Sequence, residues 1–183
     1  RSDATFTDFL GDSYHMADNS ELDSRYLNLL ATWKNYKARM IVDQYKTTQR
    51  DEFGENLPAA VDVDFDSMFF EATAVYLARP GLSITPRVNY KKQEPWQESH
   101  ADFFYRKEVE RLTGNVTANW DPNDRTSIVG GVEYYEDRAE VDPATDPGDY
   151  FTNGKRNISY DNIAAFGQGM LKTPIGNLTL GIR

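Results

Sequence analysis

Alternation is the feature that most restricts this chain. In eight stretches apolar and polar residues take turns, and one parity of each stretch holds no charged residue. Successive side chains of a β-strand point to opposite faces, so residues of one parity share a face. The uncharged parity reads Leu27, Leu29, Ala31 and Trp33, then Ala38, Met40 and Val42, then Met68, Phe70, Ala72, Ala74, Tyr76 and Ala78. It continues through Leu82 to Tyr90, Leu112 to Trp120, Thr126 to Tyr134, Ile163 to Leu171, and Leu178, Leu180 and Ile182. The other parity carries Arg39, Asp43, Glu71, Arg79, Arg87, Lys91, Arg111, Arg125 and Glu133, with Asn and Thr between them. Charged residues make up 27% of the chain, so chance would scatter them over both faces.

A soluble sheet also hides one apolar face against a core. Three features point to hydrocarbon instead. The stretches run to about 10–16 residues, against about 5–6 for an ordinary strand. Trp33 and Trp120 lie beside short turns, and Tyr90 and Tyr134 near the opposite ends, where interfacial aromatic girdles form. The uncharged face is also rich in Gly and Ala, which fill a protein core poorly. A Lys or Arg at mid-bilayer on a barrel exterior costs about 2–4 kcal/mol, enough to account for the exclusion.

Short turns follow Lys34, Arg79, Trp120 and Lys172, and long polar loops are expected over Thr48–Asp64, Gln93–Asp102 and Arg138–Arg156. Tight turns on one side and long loops on the other are the connections of an up-and-down membrane barrel. The expected fold is therefore all-β, an antiparallel up-and-down transmembrane β-barrel segment of about eight strands. Its hairpins are expected over 25–47, 65–92, 103–137 and 157–183, with 1–24 a loop or partial strand near Thr5–Leu10. Pro86 has no N–H to give a ladder, which predicts a bulge or an unpaired position there. The first and last strands would both have an end on the loop side and leave two open edges, which a bilayer does not tolerate. The expectation is a segment of a wider barrel, with the strand that opens at Leu178 running on past Arg183.

Composition removes several function classes. The net charge of −9 leaves no basic stripe to neutralise phosphates, which argues against nucleic acid. With no cysteine there is no disulfide, thiolate metal site or cysteine nucleophile. No apolar run approaches the roughly 18 residues of a membrane helix. His15 and His100 are the two histidines, and nothing in the spacing brings either beside a serine and a carboxylate. The chain is read as having no enzyme activity, no metal and no cofactor. Asp62, Asp64 and Asp66 alternate at a loop edge, where calcium is one reading. The stretch lacks the glycine and distal glutamate of a calcium loop, which favours a solvated acidic rim. Asp146 and Asp149 read as turn chemistry. Trp96, His100, Tyr150 and Phe151 are the candidate ligand contacts on extracellular loops. Arg39, Glu71, Arg87, Arg111, Arg125 and Glu133 are the candidate lumen-facing charges, with a role in wall electrostatics.

The stretch "YDNIAAFGQGMLKTPIGNLTLGIR", Tyr160 to Arg183, resembles the mid-barrel of TonB-dependent outer-membrane receptors. The resemblance rests on Asn162, Ala164, Phe166 and Gln168, a short turn, and a strand that ends in Gly181 and Arg183. The hairpins "FEATAVYLARPGLSITPRVNYKK" and "LTGNVTANWDPNDRTSIVGGVEYYED" share the family's rhythm, so the likeness covers about Arg25 to Arg183. It implies a barrel of about 22 strands around a globular plug. It also implies a bacterial outer-membrane location and energised uptake of a siderophore, cobalamin, haem or glycan. The implied partners are outer-membrane lipid, the nutrient, the plug domain and the TonB energy-coupling protein; plug and coupling box lie outside this stretch of sequence. A passive porin-like barrel and a soluble secreted β-sheet binding module are the alternatives.

Overall fold

The computed structural model of the chain describes residues 4–17, 19–52, 55–100, 103–151 and 154–183. Two short strands, β1 (Thr5–Thr7) and β2 (Ser13–His15), pair as a separate hairpin. The main sheet then follows: β3 (Leu22–Trp33), β4 (Tyr36–Glu52), β5 (Glu55–Ala74), β6 (Tyr76–Arg79), β7 (Leu82–His100), β8 (Phe103–Asn123), β9 (Thr126–Val141), β10 (Asn157–Thr173) and β11 (Gly176–Ile182). Its order is β11-β10-β9-β8-β7-β5-β4-β3, with β6 continuing beside β7. Every pairing is antiparallel, and all but β5–β7, which β6 separates in sequence, join successive strands. The fold is thus an all-β, up-and-down meander, as the alternation predicts. Among the described residues the one helical element is a 3-10 turn at Pro147–Asp149.

The sheet is a single layer. Leu112, Val116, Ile128 and Leu180 on the uncharged face are 45, 42, 38 and 78% exposed. No second layer of the described residues covers them. The fully buried side chains Val63, Val141 and Thr145 lie near the long-hairpin end, away from the middle of the sheet.

Four two-residue turns close the other end, at Lys34–Asn35, Pro80–Gly81, Asp124–Arg125 and Pro174–Ile175. Gly81 has φ +74°, and a Cβ there would collide with the Asp121 carbonyl, whose own residue donates its N–H to Gly81 O at 2.7 Å. Only glycine fits that approach. Lys34 holds φ 52° without being glycine.

Pro86 pairs in register with Val116 on β8. On its other side the ladder breaks between Thr73↔Arg87 and Tyr76↔Ile84, so the predicted unpaired position is present and no bulge accompanies it on the β8 side. Val75 faces the β4 side, where its N–H donates to Asn35 O at 2.9 Å and its carbonyl accepts from Asn35 Nδ2 at 3.0 Å, beyond the last Tyr36↔Ala74 pair.

The long loops need correction. Thr48–Asp64 is mostly strand, since β4 runs to Glu52 and β5 starts at Glu55. Gln93–Asp102 is likewise strand up to His100. Above the uncharged band both faces carry polar residues, so periodicity fades although backbone pairing continues. Arg138–Arg156 remains largely a loop after Val141. The segment 1–24 contains the β1–β2 hairpin and the first residues of β3.

Candidate functional site

The register turns the uncharged parity into a physical band. One row across the sheet is Leu29–Met40–Phe70–Tyr90–Leu112, and the next is Ala31–Ala38–Ala72–Val88–Gly114–Tyr134–Ile163. The upper limit of the band steps down these rows from strand to strand. Met68 lies opposite Lys92, so on β7 the band stops one row lower, at Tyr90. Leu112 lies opposite Glu136, so on β9 it stops lower again, at Tyr134. The lower limit moves the same way: Trp33 pairs with Tyr36 and Tyr36 with Ala74, whereas Trp120 pairs with Leu82 and Ile128, further down the ladder. A level slab crossing tilted strands produces this stepping, because tilt and stagger are coupled in a closed or closing sheet. Leu82–Tyr90, Leu112–Trp120, Thr126–Tyr134 and Ile163–Leu171 each span nine residues. A tilted strand needs about 9–11 to cross a hydrocarbon core.

Aromatic and charged groups mark the two limits. At the short-turn end Trp33 stacks on Tyr36 at 5.8 Å, Tyr36 meets Tyr76 edge-on at 6.2 Å, and the Tyr76 hydroxyl donates to Tyr36 Oη at 3.3 Å. The Lys34 ammonium lies 4.6 Å from the Trp33 ring and the Arg79 guanidinium 5.4 Å from Trp120. At the other limit the Tyr90 hydroxyl donates to Glu110. Immediately above, on the same face, Lys92 pairs with Glu108 at 2.6 Å, Arg106 grips Glu94 at 2.9 and 3.0 Å, and Arg138 pairs with Glu136 at 2.8 Å. The charges begin where the band ends.

The opposite face holds Arg39, Glu71, Arg87, Arg111 and Glu133, all by register. Arg111 binds Asp137 through two nitrogens at 2.5 and 2.6 Å, the bidentate fork that fixes both groups. Arg39 Nε donates to Asn28 Oδ1 at 3.2 Å, Arg87 Nε lies 3.8 Å from Glu71 Oε2, and Glu133 receives Arg183 at 3.5 Å. Arg125 departs from the expected set: it occupies the turn, where its N–H donates to Asn123 Oδ1 at 2.9 Å.

Of the four ligand-contact candidates, Trp96 and His100 are strand residues, set on the charged face by a bulge. Between Gln93 and Trp96 the β7 register against β8 shifts by one residue, at Glu94-Pro95. A one-residue shift exchanges the two faces. Trp96, Glu98 and His100 thereby join Lys107, Tyr105 and Phe103 on the face of Arg111. Trp96 Nε1 donates to Glu98 Oε2 at 3.0 Å, and His100 Nε2 lies 3.6 Å from Glu98 Oε1. Glu98, 3% exposed, is the organising group that alternation passed over; the proline inside a polar run is the signal that finds it. Phe65 bridges Tyr45 and Trp96 at 5.1 and 5.8 Å, and Phe103 stacks on Tyr105 at 6.3 Å.

Phe151 reaches this cluster from the β9–β10 loop, its ring 5.1 Å from the Lys107 ammonium. Tyr150 stands beside it in the chain, with its backbone N–H on Pro147 O at 3.3 Å. The loop is fastened by Asp142 N–H to Arg106 O at 2.9 Å and Arg106 N–H to Thr145 Oγ1 at 3.3 Å. The Phe151 ring and these backbone bonds fasten the loop onto the strands beside Lys107.

Asp62, Asp64 and Asp66 do not converge. Asp62 accepts from Thr48 Oγ1 at 2.8 Å and Lys46 Nζ at 3.0 Å, while Asp66 accepts from Gln97 Nε2 at 3.2 Å. The Thr48 hydroxyl, and then the Lys46 ammonium, hold the Asp62 carboxyl below its ordinary range, and Asp62 raises Lys46 in return. No group of three or more His, Cys, Asp or Glu among the described residues is placed to hold a metal. Asp146 accepts from Gly148 N–H at 2.7 Å, which is turn chemistry.

Comparison with protein-family models, with curated proteins and with solved structures finds no match to this chain.

Proposed function

We propose that the chain is a length of wall from an outer-membrane β-barrel, of the TonB-dependent receptor type that takes up a scarce nutrient. One observation carries the reading: a charge-free band of about nine residues steps down the register from strand to strand, open to the outside and rimmed by aromatics. A water-soluble sheet has no reason to keep charge off an uncovered face, whereas hydrocarbon does. The resemblance of Tyr160–Arg183 to the receptors' mid-barrel supports the narrower assignment, with plug and coupling box supplied elsewhere in the gene product. In this reading the ligand-side candidates Trp96, His100, Tyr150 and Phe151 stand at the extracellular end, and outer-membrane lipid covers the band.

The three tryptophans test it. Single-tryptophan variants, with the other two changed to Phe, are placed in vesicles whose acyl chains carry bromine. Trp33 and Trp120 are expected to lose most of their emission, and Trp96 to keep it. Equal quenching of all three, or a chain that purifies monodisperse from water without detergent, overturns the reading. Planar-bilayer recording of the full gene product separates receptor from porin: a plugged receptor stays closed, and a passive pore gives conductance steps.

A further inference from the structure

We propose that the charged face carries a binding patch for small polyanionic solutes, made by Lys37, Arg39, Arg87 and Lys91 around Glu71. The proposal rests on the wall reading, in which this face lines the solute's path. Register places the groups together. Arg39 is opposite Glu71, Lys37 and Arg87 flank Thr73 from either side, and Lys91 is opposite Phe69, one residue pair above Glu71 on that face. With strands about 4.8 Å apart and same-face residues about 6.7 Å apart along each strand, the patch measures about 10 by 13 Å.

Its charge balance runs against the rest of the molecule. The chain carries −9 overall, yet here four cations surround one carboxylate. Four other cations of the sheet are each matched to a carboxylate: Arg111 to Asp137, Lys92 to Glu108, Arg106 to Glu94, Arg138 to Glu136. Within the patch Glu71 meets Arg87 loosely, at 3.8 Å, and Arg39 is held by the neutral Asn28. Among the described residues Lys37 and Lys91 form no ion pair, and Lys37, Arg87 and Lys91 are exposed. Clustered cations repel, and a multivalent anion among them turns that repulsion into attraction. The occupant is a solute bearing phosphates or several carboxylates. An acidic polypeptide needs a longer track, and beyond these strands Arg111 is already neutralised and Glu133 is acidic.

Pyrophosphate is the probe, measured by equilibrium dialysis against the chain in brominated vesicles at low salt. Saturable binding is expected, weakened about tenfold in Lys37→Gln/Lys91→Gln, kept in Lys34→Gln/Lys172→Gln, and tightened in Glu71→Gln, where the one opposing charge is gone. Equal loss in both double variants, or no saturable binding, overturns the proposal. So does a glutamate peptide that binds where pyrophosphate does not. Quenching of Trp33 and Trp120 in the same vesicles keeps the two readings apart. Quenching without pyrophosphate binding removes the patch alone, and binding without quenching removes the wall reading and leaves the anion site standing.

Discussion

Single residues show where this sheet has no slack. A Cβ at Gly131 would lie 2.6 Å from Val116 O and 2.8 Å from two ring carbons of Phe166. Gly131 faces Phe166 across β9 and β10 and Thr117 across β8 and β9. The Phe166 ring lies over the hydrogen where a side chain would be, the aromatic cover that compensates a glycine within a strand. Gly131→Val is therefore expected to destabilise by about 1–3 kcal/mol, the ordinary cost of overpacking. Gly131→Val with Phe166→Ala should recover part of that loss, because the ring is one of the two obstacles and the Val116 carbonyl is the other. Denaturant midpoints of the two variants read the difference. Equal midpoints would show that the backbone contact alone sets the cost.

At the scale of strands, the part of the fold written in alternation was legible and the part written in backbone pairing alone was not. The band strands from Arg25 onward follow from one uncharged parity, and the four short turns follow from Asn35, Pro80-Gly81, Asp124 and Pro174. Above the band that pattern fades because neither face there is uniformly apolar, so strand residues such as Thr48 and Trp96 read as loop. The candidate contacts were legible as residue types, but the face that Trp96, Glu98 and His100 take relative to the band reflects one extra residue at the Pro95 bulge. Deleting Pro95 removes the extra residue, and the regular alternation from Gln93 then leaves Trp96 opposite Lys107, with Trp96, Glu98 and His100 on the same face as before. The Trp96 indole should keep its bond to Glu98 and its edge contact with Phe65. An unshifted Trp96 emission with unchanged quenching by iodide is the expected result. A red shift with greater quenching would mean that the bulge itself, and not the register on either side of it, holds the facing of this segment.

At the scale of the whole molecule, two adjacent residues separate hydrocarbon from water. Val116 is the midpoint of the Leu112–Trp120 stretch, and Thr117 is its neighbour on the charged face. Val116 is 42% exposed, so in water a lysine there would find solvent at once and cost little. In a bilayer the same lysine would sit near mid-depth and cost about 2–4 kcal/mol. Thr117→Lys serves as the control, since its face already carries Arg87 and Arg111 and the β8 backbone is shared. The expected outcome is a large loss of folded protein in vesicles for Val116→Lys and little change for Thr117→Lys. Moving the lysine to Leu112 should cost less than at Val116, because that position borders Glu136 and the charged rows above it. A penalty that peaks at Val116 and falls toward both aromatic rims is the depth profile that lipid imposes. A flat profile along Leu112, Val116 and Trp120 would instead mean that the uncharged face meets water, and the wall reading would fail with it.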